Sequence, residues 1–195
     1  MKKLLATAAL AASLITPAVA QAQAVPAAVV AVVDLQRVTA ECTACKTAQT
    51  ALQAQIAALQ SREKNLSTPL ETEGKSIQTA VNALNGKEPD AALAARIKSW
   101  QAKRDQGSQE IAAGQQQIQR NQQYIEKQIV DKLGPIYQQV MQKRGANILV
   151  EAGTTLATSQ SVDVTGDVLT SLNTALPSIA VTAPAAPKPA TPQGR

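Results

Sequence analysis

The apolar positions of this chain follow two periods. Val29-Val30-Ala31-Val32-Val33 is a short β-branched run closed by Asp34, and it reads as a buried strand. From Leu52 the spacing changes to threes and fours, through Ile56, Leu59, Leu66, Leu70, Ile77, Ala80 and Leu84, with Glu63 and Glu73 on the same stripe. That is a heptad-like helical seam interrupted by charge. Pro69 sits inside it and predicts a kink or local break near Ser67-Thr68, because proline removes a helical hydrogen bond and clashes with the preceding turn.

The segment Asn85-Gly86-Lys87-Glu88-Pro89-Asp90 stops the helix. Gly86 can take the left-handed conformation, Pro89 cannot continue, and Asp90 can cap a new start. A returning stripe follows, through Leu93, Ile97, Trp100, Ile111, Ile118, Ile125, Ile129 and Leu133, with Arg104, Gly107 and Gly114 at its weaker positions. Two such arms make an antiparallel hairpin projecting about 60 Å at ~1.5 Å per residue. Gly134-Pro135 marks a further kink, and Gly145 ends the helix.

Asn147-Ile148-Leu149-Val150-Glu151 is a second strand, and Thr154-Thr155-Leu156-Ala157 a shorter third one after a turn at Gly153. Thr165 is the expected N-cap of a final short helix with Val168, Leu169 and Leu172 inside. The expected fold is mainly α with a small β base: a coiled-coil-like hairpin arm over residues 51–133, with its tip at 85–90, on a body drawn from 25–50 and 134–176. So small a body buries too little to stand comfortably alone, and its sheet would leave open edges. Self-association through Val30, Val32, Ile148 and Val150 is therefore expected. From Pro177 to Arg195 the prolines and alanines carry no apolar period and predict a disordered tail.

The first 24 residues add a destination. Lys2 and Lys3 precede an apolar run from Leu4 to Ile15, then small residues at Ala18, Ala20, Ala22 and Ala24. The run is shorter than the ~20 residues a bilayer span needs, and the pattern is that of a secretory signal peptide cleaved after Ala24 or Ala20. The mature protein is then expected in the periplasm.

Aromatics make up only 2% of the sequence and there is no Phe, so the payload of a compact core is missing and an elongated helical protein fits better. The net charge is +5, and removing Lys2 and Lys3 leaves about +3 with both signs interspersed. This mild basicity predicts no nucleic-acid partner, and three isolated aromatics, Trp100, Tyr124 and Tyr137, make no stacking platform. The runs Arg62-Glu63-Lys64 and Arg96 to Arg104 read as solvated helix faces. With no His, no catalytic, metal or cofactor group is assigned, and no enzymatic activity is expected.

Cys42-Thr43-Ala44-Cys45 is the one motif with chemistry of its own. A thioredoxin-type role needs a βαβ setting that this pattern lacks, and zinc needs four ligands. A local structural disulfide, a shared site between protomers and a redox role stay open, the first being the reading the oxidising compartment favours.

The strand and helix start Val29 to Val38, and the closing run from Gly134-Pro135-Ile136 through Arg144-Gly145-Ala146-Asn147-Ile148-Leu149-Val150-Glu151 to Val162-Asp163-Val164-Thr165-Gly166-Asp167-Val168-Leu169, together resemble the OmpH/Skp family of periplasmic chaperones. The resemblance implies a homotrimer with pooled base strands and three arms around a cavity. Such a protein holds unfolded outer-membrane proteins without ATP. The Pro/Ala tail, the paired cysteines and the weakly basic tip depart from that pattern, and the tip lends little support to contact with a membrane surface.

A holdase needs distributed apolar contact surface. Leu66, Leu70, Ile77, Val81, Leu84, Leu93, Ile97 and Trp100 are the candidate client-binding residues, each of which would otherwise seal one arm against the other. A structural periplasmic adaptor is the competing class, and a CxxC redox protein the third.

Overall fold

The computed structural model describes residues 25–184. Strand β1 (Val30–Val33) leads through the N-cap Asp34 into helix α1 (Leu35–Glu41), followed by α2 (Thr43–Ala83) and α3 (Ala91–Arg144). Strand β2 (Ile148–Glu151) and helix α4 (Thr165–Ala175) complete the body. The signal-peptide assignment falls on residues outside the described ones.

The two strands pair in parallel, with Val30 against Ile148, Ala31 against Leu149, Val32 against Val150 and Val33 against Glu151. Parallel strands cannot be joined by a tight turn. Here the whole hairpin serves as the crossover.

The third strand expected at Thr154–Ala157 is not formed. Ala152–Thr154 is a 3-10 turn, in which the Thr154 hydroxyl donates to the Glu151 carbonyl at 2.7 Å and the Thr155 hydroxyl to Ala152 at 2.8 Å. Threonine hydroxyls that bond their own backbone offer the chain an alternative to a ladder. The free side of β1 is met instead by Asp163, bridged to Val32, with the Val164 amide donating to the Val32 carbonyl at 2.8 Å.

Helix α4 starts one residue earlier than predicted, at Thr165 itself, so Thr165 is its first residue and not its cap. Val164 holds the N-cap position, and Thr165, 1% exposed, accepts the Asp34 amide at 2.9 Å through its hydroxyl. The Thr165 amide donates to the Asp163 carboxylate at 2.8 Å. Thr165 therefore ties the end of β1 to the start of α4. Val38, Ile136, Val140, Val168 and Leu172 fill the space between them.

The arms are continuous. Asp90 caps α3 by accepting the Leu93 amide at 2.7 Å, and the tip turns through Asn85 (φ 49°) and Gly86 (φ 87°). The break expected near Ser67-Thr68 is absent, since Pro69 lies inside an unbroken α2. The Ser67 and Thr68 hydroxyls both donate to the Lys64 carbonyl, at 3.3 and 2.9 Å, one turn ahead of the missing amide. Pro135 is likewise accommodated within α3.

Where composition predicts disorder from Pro177, the structure lays residues 177–184 along α3. Ile179 packs against the core, and the Ala180 and Ala183 amides donate to Gln128 and Asn121 at 3.0 and 2.9 Å. Side-chain amides on α3 supply the partners that hold this segment, and composition alone does not reveal them. The rest of the predicted tail lies outside the described residues.

Candidate functional site

Midway along the arms the apolar seam opens into a cavity of about 680 Å³. Its apolar wall is Leu66, Pro69 and Leu70 from α2 with Trp100 and Gly107 from α3. Trp100 is held in orientation because its indole N–H donates to the Leu70 carbonyl at 2.8 Å, while the Arg104 guanidinium stands 5.2 Å from the ring centroid. Gly74 makes room for that ring: a Cβ there would lie 3.1 Å from Trp100 Cζ2. A second cavity of about 390 Å³ shares Leu66, Leu70 and Gly107.

Two bidentate ion pairs bracket the larger cavity. Arg62 donates to Glu110 at 2.6 and 3.1 Å. Arg96 donates to Glu73 at 2.6 and 2.9 Å and also to the Ser76 hydroxyl at 2.7 Å. Hydrogen bonding from Arg96 holds the Glu73 carboxyl below its ordinary value, and Arg62 does the same for Glu110. These charge runs face solvent as expected, and within them Arg62 and Arg96 each also clasp the opposite arm. Both pairs remain partly open to solvent, so salt screens them and they yield more readily than a buried contact.

Of the eight candidate client-binding residues, Leu66, Leu70 and Trp100 come together in one wall. Ile77, 7% exposed, is sealed in the seam. Leu84, Leu93 and Ile97 are half-buried nearer the tip, and Val81 is exposed. The acidic partners Glu73 and Glu110 were missed as site residues. The signal for Glu73 was its place on the apolar stripe, where a charge needs a cross-arm partner.

In the body, Val30 and Ile148 stand 41% and 42% exposed beside Val29, while Val32 is buried and Val150 half-buried. Among the described residues β2 pairs only with β1, so its far edge is open. Cys42 and Cys45 are joined by a disulfide within the body core, both buried. Cys42 also caps α2, its sulfur accepting the Cys45 amide at 3.2 Å. Among the described residues no helix is long and apolar enough to cross a membrane.

A family model described as outer membrane protein (OmpH-like) matches residues 29–172, the span from β1 through most of α4. The chain belongs to the OmpH-like family. A crystal structure of a proposed outer membrane chaperone (OmpH-like) from Caulobacter crescentus CB15 has the same fold, with a TM-score of 0.65 at 19% identity. The match covers 82% of this chain and 93% of that one. No curated protein gives a match.

Proposed function

We propose that this protein is an ATP-independent holdase chaperone of the periplasm, a homotrimer whose arms surround unfolded outer-membrane proteins and keep them from aggregating. The observation that carries the reading is the opening of the arm seam at Leu66, Leu70 and Trp100, in a chain of the OmpH-like family. A fully zipped coiled coil would bury these side chains against each other. Here a leucine pair and an indole face a cavity, next to polar clasps that salt and solvent can loosen.

Capture of many different clients is best served by numerous weak contacts on adaptable surfaces, since each contact contributes little and none selects one sequence. Helices of 41 and 54 residues, held to each other between tip and base by scattered apolar contacts and the two solvent-exposed clasps, offer such a surface along their length. Self-association is supported by the exposed Val29, Val30 and Ile148 beside the open edge of β2, a combination that a second copy would cover.

The test is dilution of a urea-unfolded β-barrel outer-membrane protein into buffer containing the mature chain at near-stoichiometric ratio without nucleotide. Light scattering should fall to near the level of the soluble control. Undiminished aggregation at a threefold excess of chaperone trimer would overturn the reading.

A further inference from the structure

The segment that lies along α3 is held in an unusual way. The Gln128 side-chain amide pairs with both polar groups of Ala180: the Ala180 N–H donates to Oε1 at 3.0 Å, and Nε2 donates to the Ala180 carbonyl at 2.9 Å. Three residues on, the Ala183 N–H donates to Asn121 Oδ1 at 2.9 Å, with Gln117 Nε2 reaching the Ala183 carbonyl at 3.5 Å. A side-chain amide used this way reads the backbone as a neighbouring β-strand would.

The spacing fits by construction. Asn121 and Gln128 are two helical turns apart, about 10.5 Å, and three residues of extended or polyproline II chain span about 9 to 10 Å. The row is also pre-set. Asn121 is 2% exposed and donates to Gln55 of α2 at 2.7 Å, and Gln117 donates to Asn121 Oδ1 at 2.7 Å. Arg120 donates to the Gln117 side-chain oxygen Oε1, and its Nε is buried without a partner among the described residues, a spare donor at this end of the row.

We propose that Gln117, Asn121 and Gln128 form a backbone-reading groove for extended polypeptide carrying small residues at every third position, and that Ala180 to Ala183 is its intramolecular occupant. Both residues read are alanines, so the contact recognises main chain and leaves side-chain identity nearly free. The occupant is tethered through Leu176, buried in the body, and competes with any peptide in trans at an effective concentration of order millimolar. Ala180, Thr182 and Pro184 are exposed, so among the described residues the segment keeps a solvent-facing side opposite α3. The proposal goes beyond the holdase reading and does not need it, because binding is measured without a client.

The test uses the full mature chain and a fluorescein-labelled nonapeptide with the sequence of residues 176–184. Ala180→Pro with Ala183→Pro removes both donors from the occupant, outside any helix or strand, and vacates the groove. The peptide should bind this variant about tenfold tighter than the wild type, since self-competition is relieved. Adding Gln128→Ala to the vacated chain should weaken binding about tenfold, and a peptide N-methylated at its two read alanines should not bind. Equal binding of the methylated peptide, indifference to Gln128→Ala, or no binding to the vacated chain at millimolar peptide would each overturn the proposal. Should the double variant unfold, hydrogen exchange in the wild type decides: added peptide must accelerate exchange of the Ala180 and Ala183 amides, and unchanged rates would overturn it. Aggregation suppression, measured separately, stands or falls independently of these outcomes.

Discussion

Trp100 rests on Gly74: the indole of α3 occupies the space that a side chain on α2 would otherwise fill, with Cζ2 3.1 Å from where a Cβ would be. The contact fixes the local separation of the arms and the shape of the cavity wall. Trp100→Ala should lower resistance to urea unfolding by about 2 kcal/mol, less than the loss for a fully buried Trp because the ring is only half-buried. It should also weaken aggregation suppression of an unfolded β-barrel protein. A variant with full holdase activity would remove Trp100 from the client surface.

Gly107 and Gly114 lie two turns apart on α3, each facing a leucine of α2. A Cβ on Gly107 would meet Leu66 at an ordinary 3.7 Å, whereas one on Gly114 would approach Leu59 Cδ1 to 2.5 Å. Gly107→Ala should therefore stabilise the arm by up to about 1 kcal/mol through helix propensity. Gly114→Ala should gain nothing or lose about 1 kcal/mol, because Leu59 must leave its position. Urea midpoints of the two variants, measured side by side, check the difference in sign.

The clasps Arg96–Glu73 and Arg62–Glu110 predict a salt-sensitive arm. A double-mutant cycle on Arg96→Met and Glu73→Gln should show favourable coupling at low salt that declines as ionic strength rises toward 1 M. Arg96→Lys should recover only part of it, since an ammonium cannot make the bidentate contact. Coupling unaffected by salt would contradict this account.

In the body, Asp167 of α4 accepts from Arg144 at 2.6 Å and Lys143 at 3.4 Å, and hydrogen bonding from Arg144 holds its carboxyl below the ordinary value. Asp163 is lowered too, chiefly by the Thr165 hydroxyl and amide. Because the folded values lie below the unfolded one, near 3.9, the stabilisation is complete above that pH and drains away as pH falls through the folded values. Asp167→Asn should be less stable than wild type at pH 7, with the gap closing at low pH. Urea midpoints across pH 7 to 3 give the comparison, and a gap independent of pH would refute the pairing.

The Cys42–Cys45 bond closes a loop of four residues, so chain entropy limits its contribution to about 2 kcal/mol. The double variant Cys42→Ser, Cys45→Ser should keep its helical circular dichroism and oligomeric state under conditions where the wild type has both. Loss of the fold on substitution would assign the bond a larger part.

What the sequence made legible were the features encoded within a few residues of one another. The hairpin tip follows from Asn85, Gly86, Pro89 and Asp90, whose backbone preferences act locally, and β1 and β2 from short β-branched runs. The third strand was misread because Thr154 and Thr155 satisfy their own backbone, a choice that composition does not separate from pairing. Arg62 with Glu110 and Arg96 with Glu73 are 48 and 23 residues apart, so their partnership depends on arm register, which no local period specifies. The docking of Ala180 and Ala183 was hidden for a similar reason: the groove that holds them is written far upstream, in Asn121 and Gln128. The cavity at Leu66, Leu70 and Trp100 was half visible, its members named but its opening dependent on where Gly107 falls opposite them.

The parallel pairing of β1 with β2 sets an order of events. Val29 and Asn147, which bond each other beside the strands, are 118 residues apart, whereas contacts near the tip close over a few. Loop closure on that scale is slow and entropically costly. A chain emerging N-terminus first therefore completes its rods while its opening strand waits, unpaired, for the far end to arrive. Maturation of the body, and any assembly that uses it, becomes the last step of biogenesis.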